Sequence, residues 1–429
     1  MSRLISRNNY RLSISIFIFL SGFVLASCHK EVTSTDQTGS ARTISYTQIF
    51  EDFWSNMNKN YVFWEQDTTN WNRVHDMYAP MFAELDKDST ISYDSVNTLS
   101  NSYFQNMVSG LTDSHYFLAI YYTLYGVNPA QVRKLNNPLF IENLFETAPY
   151  SPSVDGKFHY TNYVDSLYLD DNKMIGIDTS ITVTDNFYTV AGYIQNTRIL
   201  YFAFNKCQLI TQYEQGDPTV KATLGYFFKQ LSNPALTGLI IDVRGNSGGS
   251  VNDLNFLVGS LISSPLHFGF SRSKNGAGRL DYTPWANAII NPRPGFSDFT
   301  KPIVVLADGE TSSEAELTTM ALKSLPKTTF VGDTTWGANG QLIQNVDYNA
   351  GSFNFGNIVT GVSQSSSTTF YFGYASASSV AFKYLDGNVY EGKGFPPDYD
   401  IKVKLNQVFL PGNTIDDPQL DKAISLLPK

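Results

Sequence analysis

The chain is poor in cysteine, in histidine and in charge. It has 429 residues, of which two are cysteines, five are histidines and only 16% are charged. Two cysteines exclude a disulfide-rich scaffold. The formal net charge of −9, without basic clusters, argues against binding to nucleic acid. Metal motifs such as H-E-x-x-H, phosphate loops and dinucleotide fingerprints are also missing, so we expect neither a metal nor a cofactor.

Hydrophobic and aromatic residues, in contrast, are abundant. Hydrophobic residues make up 42% of the chain, and it contains 26 tyrosines and 30 phenylalanines. This composition excludes a disordered or collagen-like protein. The length suggests about two or three domains. The sequence therefore predicts an aromatic-rich globular protein with a large core.

The N-terminus has the pattern of an export signal. Three arginines precede the apolar run Ile14 to Leu25, which is too short to span a bilayer comfortably. The run ends in Leu25-Ala26-Ser27-Cys28, which resembles a bacterial lipobox, where the cysteine is lipidated and becomes the mature N-terminus. We therefore expect residues 1–27 to be a lipoprotein signal peptide and Cys28 to be the lipidation site. A buried N-terminal helix is the alternative.

Removal of the signal peptide would make the protein more acidic. Lys plus Arg falls from 30 to 27 against 39 Asp plus Glu, a net charge of about −12. The acyl chain, and not attraction to anionic lipid, would then hold the protein to the membrane. The expected location is the bacterial cell envelope, with the periplasmic or surface face left open. The remaining Cys207 has apolar neighbours, which is typical of a core residue.

Four segments are expected after the signal peptide. Residues 28–44 are small and polar, which indicates a flexible tether. Residues 45–115 carry three apolar stripes at helical spacing and predict a helical domain. Residues 116–195 contain short strand-like runs and predict a β-rich middle region. Residues 196–429 alternate strands and helices, which predicts a sheet covered by helices. The fold class is therefore mixed α/β.

The clearest elements lie in the last segment. Asp217 and Pro218 form an N-cap and first turn before an apolar stripe, which marks the start of a helix. The predicted elements are strand Ile199–Phe204, helix Thr219–Leu231, strand Leu239–Val243, strand Ile303–Ala307, helix Glu314–Leu322 and strand Thr328–Val331.

A first candidate nucleophile is Ser247 in Gly245-Asn246-Ser247-Gly248-Gly249, which matches the G-x-S-x-G elbow. An α/β-hydrolase needs an acid and then a histidine after the serine, and here only Asp253 and His267 follow in that order. So short a spacing leaves no room for that arrangement. We interpret Gly248 and Gly249 instead as a turn whose backbone N–H groups form an oxyanion hole, with an ordinary tight turn as the alternative.

A second candidate lies in Thr311-Ser312-Ser313-Glu314-Ala315-Glu316, which follows a predicted strand and opens a helix. Together with the strand that ends in Asp242-Val243-Arg244 and the glycine turn, it resembles the core of the C-terminal processing, or tail-specific, serine peptidases. The resemblance implies a crotonase-like core of the ClpP and tail-specific protease type and Ser313 as nucleophile. A helix N-terminus favours a developing oxyanion, with the Glu314 N–H as a further donor. A capping box of Ser313 and Glu316 is the alternative.

The general base departs from the classical family pattern. Ala338 stands where classical bacterial members carry a lysine base. The tricorn-core branch of the same superfamily uses a Ser-His pair, which Asp113-Ser114-His115 resembles in sequence and position. That resemblance implies His115 as base, oriented by Ser114 and by Glu391 of the segment Glu391-Gly392-Lys393-Gly394-Phe395-Pro396-Pro397-Asp398. The pKa of histidine lies near neutrality, which suits this role.

The sequence thus predicts a serine endopeptidase that cleaves exported polypeptides through an acyl-enzyme. The alternative is a catalytically silent protein that binds a peptide or a hydrophobic ligand on the same scaffold, which the missing lysine and the many aromatic residues favour. The resemblance covers residues 45–120 weakly and 196–429 well. Many relatives carry a PDZ domain between these parts, but no G-L-G-F-like loop is found here. The sequence leaves the oligomeric state open.

Overall fold

The computed structural model describes residues 45–87, 93–124, 133–134, 139–142, 168–179, 186–342, 351–357, 369–402 and 417–428. Contacts divide the chain into two units between residues 43 and 44, and all of these residues belong to the second unit. The predicted signal peptide, Cys28 and the tether therefore lie outside the described residues. Within the described part, no helix is both long and apolar enough to cross a membrane.

Helices and strands are numbered here in chain order. The helices are α1 (Tyr46–Asn60), α2 (Trp71–Lys87), α3 (Tyr93–Val108), α4 (Leu209–Gln215), α5 (Pro218–Gln230), α6 (Asp253–Leu257), followed by a 3-10 turn (Val258–Leu261), α7 (Glu314–Lys323) and α8 (Pro418–Ser425). The strands are β1 (Phe117–Leu124), β2 (Arg133–Lys134), β3 (Leu139–Glu142), β4 (Met174–Asp178), β5 (Phe187–Tyr193), β6 (Ile199–Phe204), β7 (Gly238–Asp242), β8 (Leu266–Ser273), β9 (Ala286–Ile290), β10 (Ile303–Ala307), β11 (Thr328–Gly332), β12 (Phe353–Asn357), β13 (Thr369–Ser376), β14 (Val380–Tyr384) and β15 (Tyr399–Asp400).

The three N-terminal helices confirm the helices predicted from the apolar stripes. Their shared interior is aromatic: the Phe53 ring lies edge-on to Phe104 at 5.1 Å and to Trp71 at 6.1 Å between centroids. Such ring pairs contribute about 0.5–1.5 kcal/mol each beyond the burial of their area. Phe53 also contacts Phe355 of β12 at 5.0 Å, so the helices pack on a β-sheet.

That sheet joins distant parts of the chain. β1 pairs along its length with β13 in antiparallel register, from Phe117 opposite Ser376 to Leu124 opposite Thr369. β12 lies on the other side of β13, while β2 and β3 pair with β1. Because β1 begins two residues after His115, this pairing brings the Asp113–His115 turn next to the residues that follow β13.

The central sheet has seven strands in the order β15-β11-β10-β7-β6-β5-β4. β6, β7, β10, β11 and β15 are parallel, whereas β4 and β5 are antiparallel additions. Every residue of β6, β7 and β10 is buried. This is the pattern of parallel strands that are covered on both faces.

The predicted elements of this part are confirmed. β6 and β10 match their predicted bounds, and β7, β11, α5 and α7 match within one residue at each end. Asp217 accepts the Thr219 N–H at 2.8 Å and Pro218 occupies the first turn of α5. On its buried side, Phe227 stacks on Phe202 of β6 with centroids 3.9 Å apart.

One predicted boundary differs from the structure. The sequence separated a middle region ending at residue 195 from a core starting at 196. In the structure β4 and β5 extend the core sheet beyond β6, so the sheet crosses that boundary. Pairing between strands depends on contacts across the sheet, which the local pattern of residues 174–193 does not contain.

Candidate active site

Ser313 lies at the start of α7 in an unusual backbone conformation. Its φ is 55° and its ψ is −125°, a region that non-glycine residues rarely occupy. Such strain costs of order 1–3 kcal/mol and persists only where neighbouring structure imposes it. The Ser313 side chain makes no capping hydrogen bond to α7. Its hydroxyl is therefore not used as a helix cap, and the serine half of the alternative capping box is not formed.

Hydrogen bonds between two loops impose this conformation. The Ser312 N–H donates to the Asn246 carbonyl at 3.0 Å, and the Thr311 hydroxyl donates to the Val243 carbonyl at 2.9 Å. In return, the Gly245 N–H donates to the Asp308 carboxylate at 2.9 Å. The loop after β10 is thus fastened to the glycine loop after β7, because the two strands are parallel neighbours whose carboxyl ends meet at the same edge.

The two glycines of the first loop lie against Ser313. Gly248 has φ +91°, and a Cβ atom there would lie 2.7 Å from the Ser313 Cβ. Gly249 has φ +147°, and a Cβ atom there would lie 2.3 Å from the Cys207 carbonyl oxygen. Only glycine fits both positions. Ser247, which precedes these glycines in the same loop, is exposed to solvent.

Of the three N–H groups that were expected to form an oxyanion hole, one is already used. The Gly248 N–H donates to the Asn246 side-chain oxygen at 2.8 Å, so that expectation is corrected. The N–H groups of Gly249 and Glu314 have no protein acceptor among the described residues. Both residues line a pocket of about 260 Å³ together with Ser313. Its other lining residues are Ser250, Val251, Leu317, Gly340, Gln341 and Leu342.

His115 belongs to a tightly held turn. The buried Asp113 carboxylate accepts the His115 N–H at 2.9 Å, the Ser378 hydroxyl at 2.8 Å and the Ser378 N–H at 2.7 Å. Ser378 follows β13, so this contact is a consequence of the β1–β13 pairing. The Tyr61 hydroxyl accepts the Asp113 N–H at 3.1 Å and ties the turn to the helical part.

Ser114 and Glu391 lie beside His115, but their hydrogen bonds differ from the expected ones. The Ser114 hydroxyl donates to the Gly337 carbonyl at 2.8 Å. The buried Glu391 carboxylate accepts the Ser114 N–H at 2.8 Å and the Gly340 N–H at 2.7 Å. The Nδ1 atom of His115 is buried and has no hydrogen-bond partner among the described residues. These two residues therefore hold the backbone around the imidazole and do not bond to Nδ1.

Burial dominates the electrostatics of this cluster. It lowers the pKa of His115 below its ordinary value of 6.5, an effect that the nearby Asp113 carboxylate partly offsets. Burial also raises the pKa of Asp113. It raises the pKa of Glu391 well above its ordinary value, and the Asp113 charge adds to this effect. The imidazole is therefore neutral at neutral pH and can accept a proton.

The segment from Thr335 to Gly340 connects the two halves of the site. The buried Glu316 carboxylate of α7 accepts the N–H groups of Gly337 and Ala338, and burial raises the pKa of Glu316 to about 7. Gly337 in turn accepts the Ser114 hydroxyl, and Gly340, held by Glu391, lines the Ser313 pocket. The Ala338 side chain is buried and carries only a methyl group where the classical family has an amine.

Several supporting residues were missed from the sequence. Asn246, Asp308 and Ser378 make hydrogen bonds that hold the two loops and the histidine turn. Each is an ordinary polar residue in a loop, so no local signal distinguishes it. Cys207 is buried next to Gly249, and burial raises the pKa of its thiol, so it does not compete as a nucleophile.

Two protein-family models match parts of the chain. Residues 198–369 match the model of Peptidase family S41, and residues 44–89 match the model of the tricorn protease C1 domain. Tricorn protease homolog 2 of Streptomyces coelicolor is 36% identical over 108 residues. These residues are 25% of this chain and only 8% of that much longer protein.

Solved structures of other proteins are similar to this chain over most of its length. A predicted peptidase from Parabacteroides merdae superposes with a TM-score of 0.59 over 90% of this chain and 97% of the other, at 18% identity. The photosystem II D1 C-terminal processing protease matches with a TM-score of 0.40 over 84% of this chain and 94% of the other, at 14% identity. The first of these likenesses shows the mixed α/β fold.

Proposed function

We propose that the protein is a serine peptidase of the S41 type in which Ser313 is the nucleophile and His115 is the general base. The observation that carries the proposal is the conformation of Ser313. A serine held at positive φ at the head of α7, with its hydroxyl unused as a cap and two unpartnered N–H groups in its pocket, is built for attack on a carbonyl group. The S41 and tricorn C1 matches support the same reaction class.

In the proposed reaction the Ser313 hydroxyl attacks the carbonyl carbon of a peptide bond while its proton passes to neutral His115. The negative charge that develops on the carbonyl oxygen is stabilised by the N–H groups of Gly249 and Glu314. Each such donor is worth roughly a factor of 10²–10³ in rate. The tetrahedral intermediate then expels the amine, which takes the proton from His115, and leaves an acyl-enzyme. A water molecule repeats the sequence and releases the acid.

A histidine serves as the general base in this reaction because Ala338 stands at the position of the classical lysine. The Ala338 N–H donates to the Glu316 carboxylate. A backbone hydrogen bond, and not a lysine side chain, therefore holds the loop at this position. His115 is the alternative base that the chain offers, and its lowered pKa keeps it unprotonated. Asp113, Ser114 and Glu391 would act as positioning residues, because they hold the turn that carries the imidazole.

We further propose that the enzyme acts outside the cytoplasm as a lipoprotein anchored through Cys28. The support is the sequence alone, namely the basic and apolar leader and the Leu25-Ala26-Ser27-Cys28 lipobox. Its substrates would be exported polypeptides, which it would cleave as an endopeptidase.

A fluorophosphonate probe tests the proposed chemistry, because it reacts only with an activated serine. We expect one labelled residue per chain, Ser313, and loss of labelling in Ser313→Ala and in His115→Ala. Peptide mapping of the labelled protein identifies the residue. One outcome would contradict the proposal: the well-folded protein does not label, and it binds peptides without cleaving them. The catalytically silent binding protein would then be the better interpretation.

A further inference from the structure

Three groups next to the Ser313 pocket form a compact set of metal-ligand types. One oxygen of Asp113, one oxygen of Glu391 and one ring nitrogen of His115 all lie within 4.8 Å of one another. The ligand atoms around a tetrahedral Zn²⁺ are about 3.3 Å apart, given bond lengths of about 2 Å. The three atoms are therefore close enough to one another to be candidate ligands of one ion.

Within this cluster, the imidazole has a ring nitrogen that no protein group binds among the described residues. The Nδ1 atom of His115 is buried and has no hydrogen-bond partner among the described residues. A buried polar atom without a partner is unfavourable, and natural proteins usually satisfy it with a protein group, a water molecule or an ion. Imidazole nitrogens are common metal ligands, so this atom is a candidate ligand.

The two carboxylates add negative charge in a buried place. Asp113 and Glu391 have exposed fractions of 0% and 1%. No lysine or arginine forms an ion pair with Glu391 in the described part of the chain. Burial of a carboxylate disfavours its charged form. A divalent cation between the carboxylates would remove this penalty.

The carboxylates are also held in place by hydrogen bonds from neighbouring groups. Ser378 donates two hydrogen bonds to Asp113, and the Ser114 and Gly340 N–H groups each donate one to Glu391. Such surrounding hydrogen bonds orient metal ligands, and their loss typically lowers metal affinity by about 10- to 100-fold. Each oxygen of Glu391 accepts one of these bonds and keeps a lone pair for an ion.

We propose that Asp113, His115 and Glu391 form a binding site for one Zn²⁺ ion, and that the ion inhibits the enzyme by occupying the general base. The site does not match a sequence motif for zinc. Asp113 and His115 come from one turn, and Glu391 comes from a loop far along the chain. The inhibitory consequence rests on the proposed function, since it requires His115 to act as base. The binding itself does not depend on it.

Calorimetric titration of the metal-free full chain with ZnCl₂, together with thermal melting, tests the binding. We expect one strongly bound Zn²⁺ per chain and a rise in melting temperature on addition of Zn²⁺. His115→Ala should weaken binding at least about tenfold and abolish the rise. Ser313→Ala should bind Zn²⁺ like the unmodified chain, because Ser313 is not a ligand.

A matched control comes from a second histidine. The partly exposed His75 lies 3.0 Å from Glu51 and 4.0 Å from Asp76 and could collect Zn²⁺ adventitiously. His75→Ala should leave the tight site intact. Because Glu391 and Asp113 also hold backbone groups, His115→Gln serves as the second ligand variant, with its melting temperature without metal as the check of folding.

The outcomes separate the two proposals. Stoichiometric binding that persists in both His115 variants, or no binding in a large excess of Zn²⁺, overturns the zinc site. Tight binding that depends on His115, in a protein that neither labels with fluorophosphonate nor cleaves peptides, supports the zinc site and sinks the peptidase. If peptidase activity is present, it should fall as the site fills and return on addition of EDTA. Activity that is unchanged at saturation overturns the inhibitory role.

Discussion

Gly248 leaves no room for a side chain beside Ser313: a Cβ atom on Gly248 would lie 2.7 Å from the Cβ of Ser313 and 2.8 Å from the Glu314 nitrogen. The glycine motif and the serine motif are therefore two walls of one site. The serine of the glycine loop itself, Ser247, is exposed. The loop supplies the backbone against which a different serine is positioned.

The first prediction compares the two serines. Ser313→Ala should lower kcat by several orders of magnitude, roughly the scale of removing a serine nucleophile, with little change in stability because only a hydroxyl is lost. Ser247→Ala should retain activity within about tenfold, since Gly249 acts through its backbone. Steady-state kinetics on a peptide substrate, with circular dichroism to verify folding, measures both. An inactive Ser247→Ala beside an active Ser313→Ala would reverse the assignment.

A second prediction concerns the contact of Gly248 with Ser313. Gly248→Ala should reduce kcat/KM by at least about a hundredfold, because the new methyl group displaces Ser313 and the Glu314 N–H. A side chain at φ +91° should also cost roughly 1–3 kcal/mol of stability. The control is Gly225→Ala in α5, where a Cβ atom meets nothing within 4 Å. It should keep activity and gain up to about 1 kcal/mol. Equal behaviour of the two variants would contradict the proposed geometry.

The third prediction is the pH dependence of the reaction. Only neutral His115 accepts the serine proton, so activity should be lost as pH falls through the pKa of His115. Burial lowers this pKa, so the midpoint of the acidic limb should lie below 6.5. A pH profile of kcat/KM measures it. The residual activity of His115→Ala should lack this limb, and a limb that survives the substitution removes His115 from the mechanism.

A fourth prediction concerns the ion network that holds α8 to the core. Arg244 donates to Asp242 at 3.0 Å and to Asp417, the N-cap of α8, at 3.0 Å. All three side chains are at most 6% exposed. Arg244→Met leaves two buried carboxylates without the guanidinium, which should cost about 3–5 kcal/mol in the free energy of unfolding.

Urea denaturation of Arg244→Met and of a control, Lys323→Ala, measures this cost. Lys323 pairs with Asp398 at 2.9 Å, but the two side chains are 28% and 37% exposed. The loss of this surface pair should therefore cost at most about 1 kcal/mol. If the two variants lose the same free energy of unfolding, the buried network does not stabilise the protein more than the surface pair does.

The fifth prediction concerns the proposed lipid anchor. Cys28→Ala should prevent acyl labelling and leave the leader uncleaved, because the lipobox cysteine is both the acceptor and the processing site. Metabolic labelling with a fatty acid and membrane fractionation measure the two effects. Cys207→Ala is the control and should label normally. Unchanged labelling of Cys28→Ala would disprove the lipobox.

Local sequence features determined which elements form. The continuous apolar runs of β6 and β10 and the Asp217-Pro218 start of α5 specify their own conformation, because propensity, capping and periodicity act within a few residues. The same is true of the serine at the head of α7. These features could be predicted, and the structure has them at the expected positions.

Only the tertiary structure decided what each site residue contacts. The Ser312 N–H bonds to the Asn246 carbonyl, the Ser114 hydroxyl bonds to Gly337, and Asp113 bonds to Ser378. The last two contacts join residues that are 223 and 265 positions apart in the chain. The Asp113–Ser378 contact follows from the pairing of β1 with β13, and the contact between Ser312 and Asn246 follows from the pairing of β7 with β10. Strand pairing is settled by the packing of the whole sheet, so a local sequence pattern predicts the residue types of the site but not their hydrogen-bond partners.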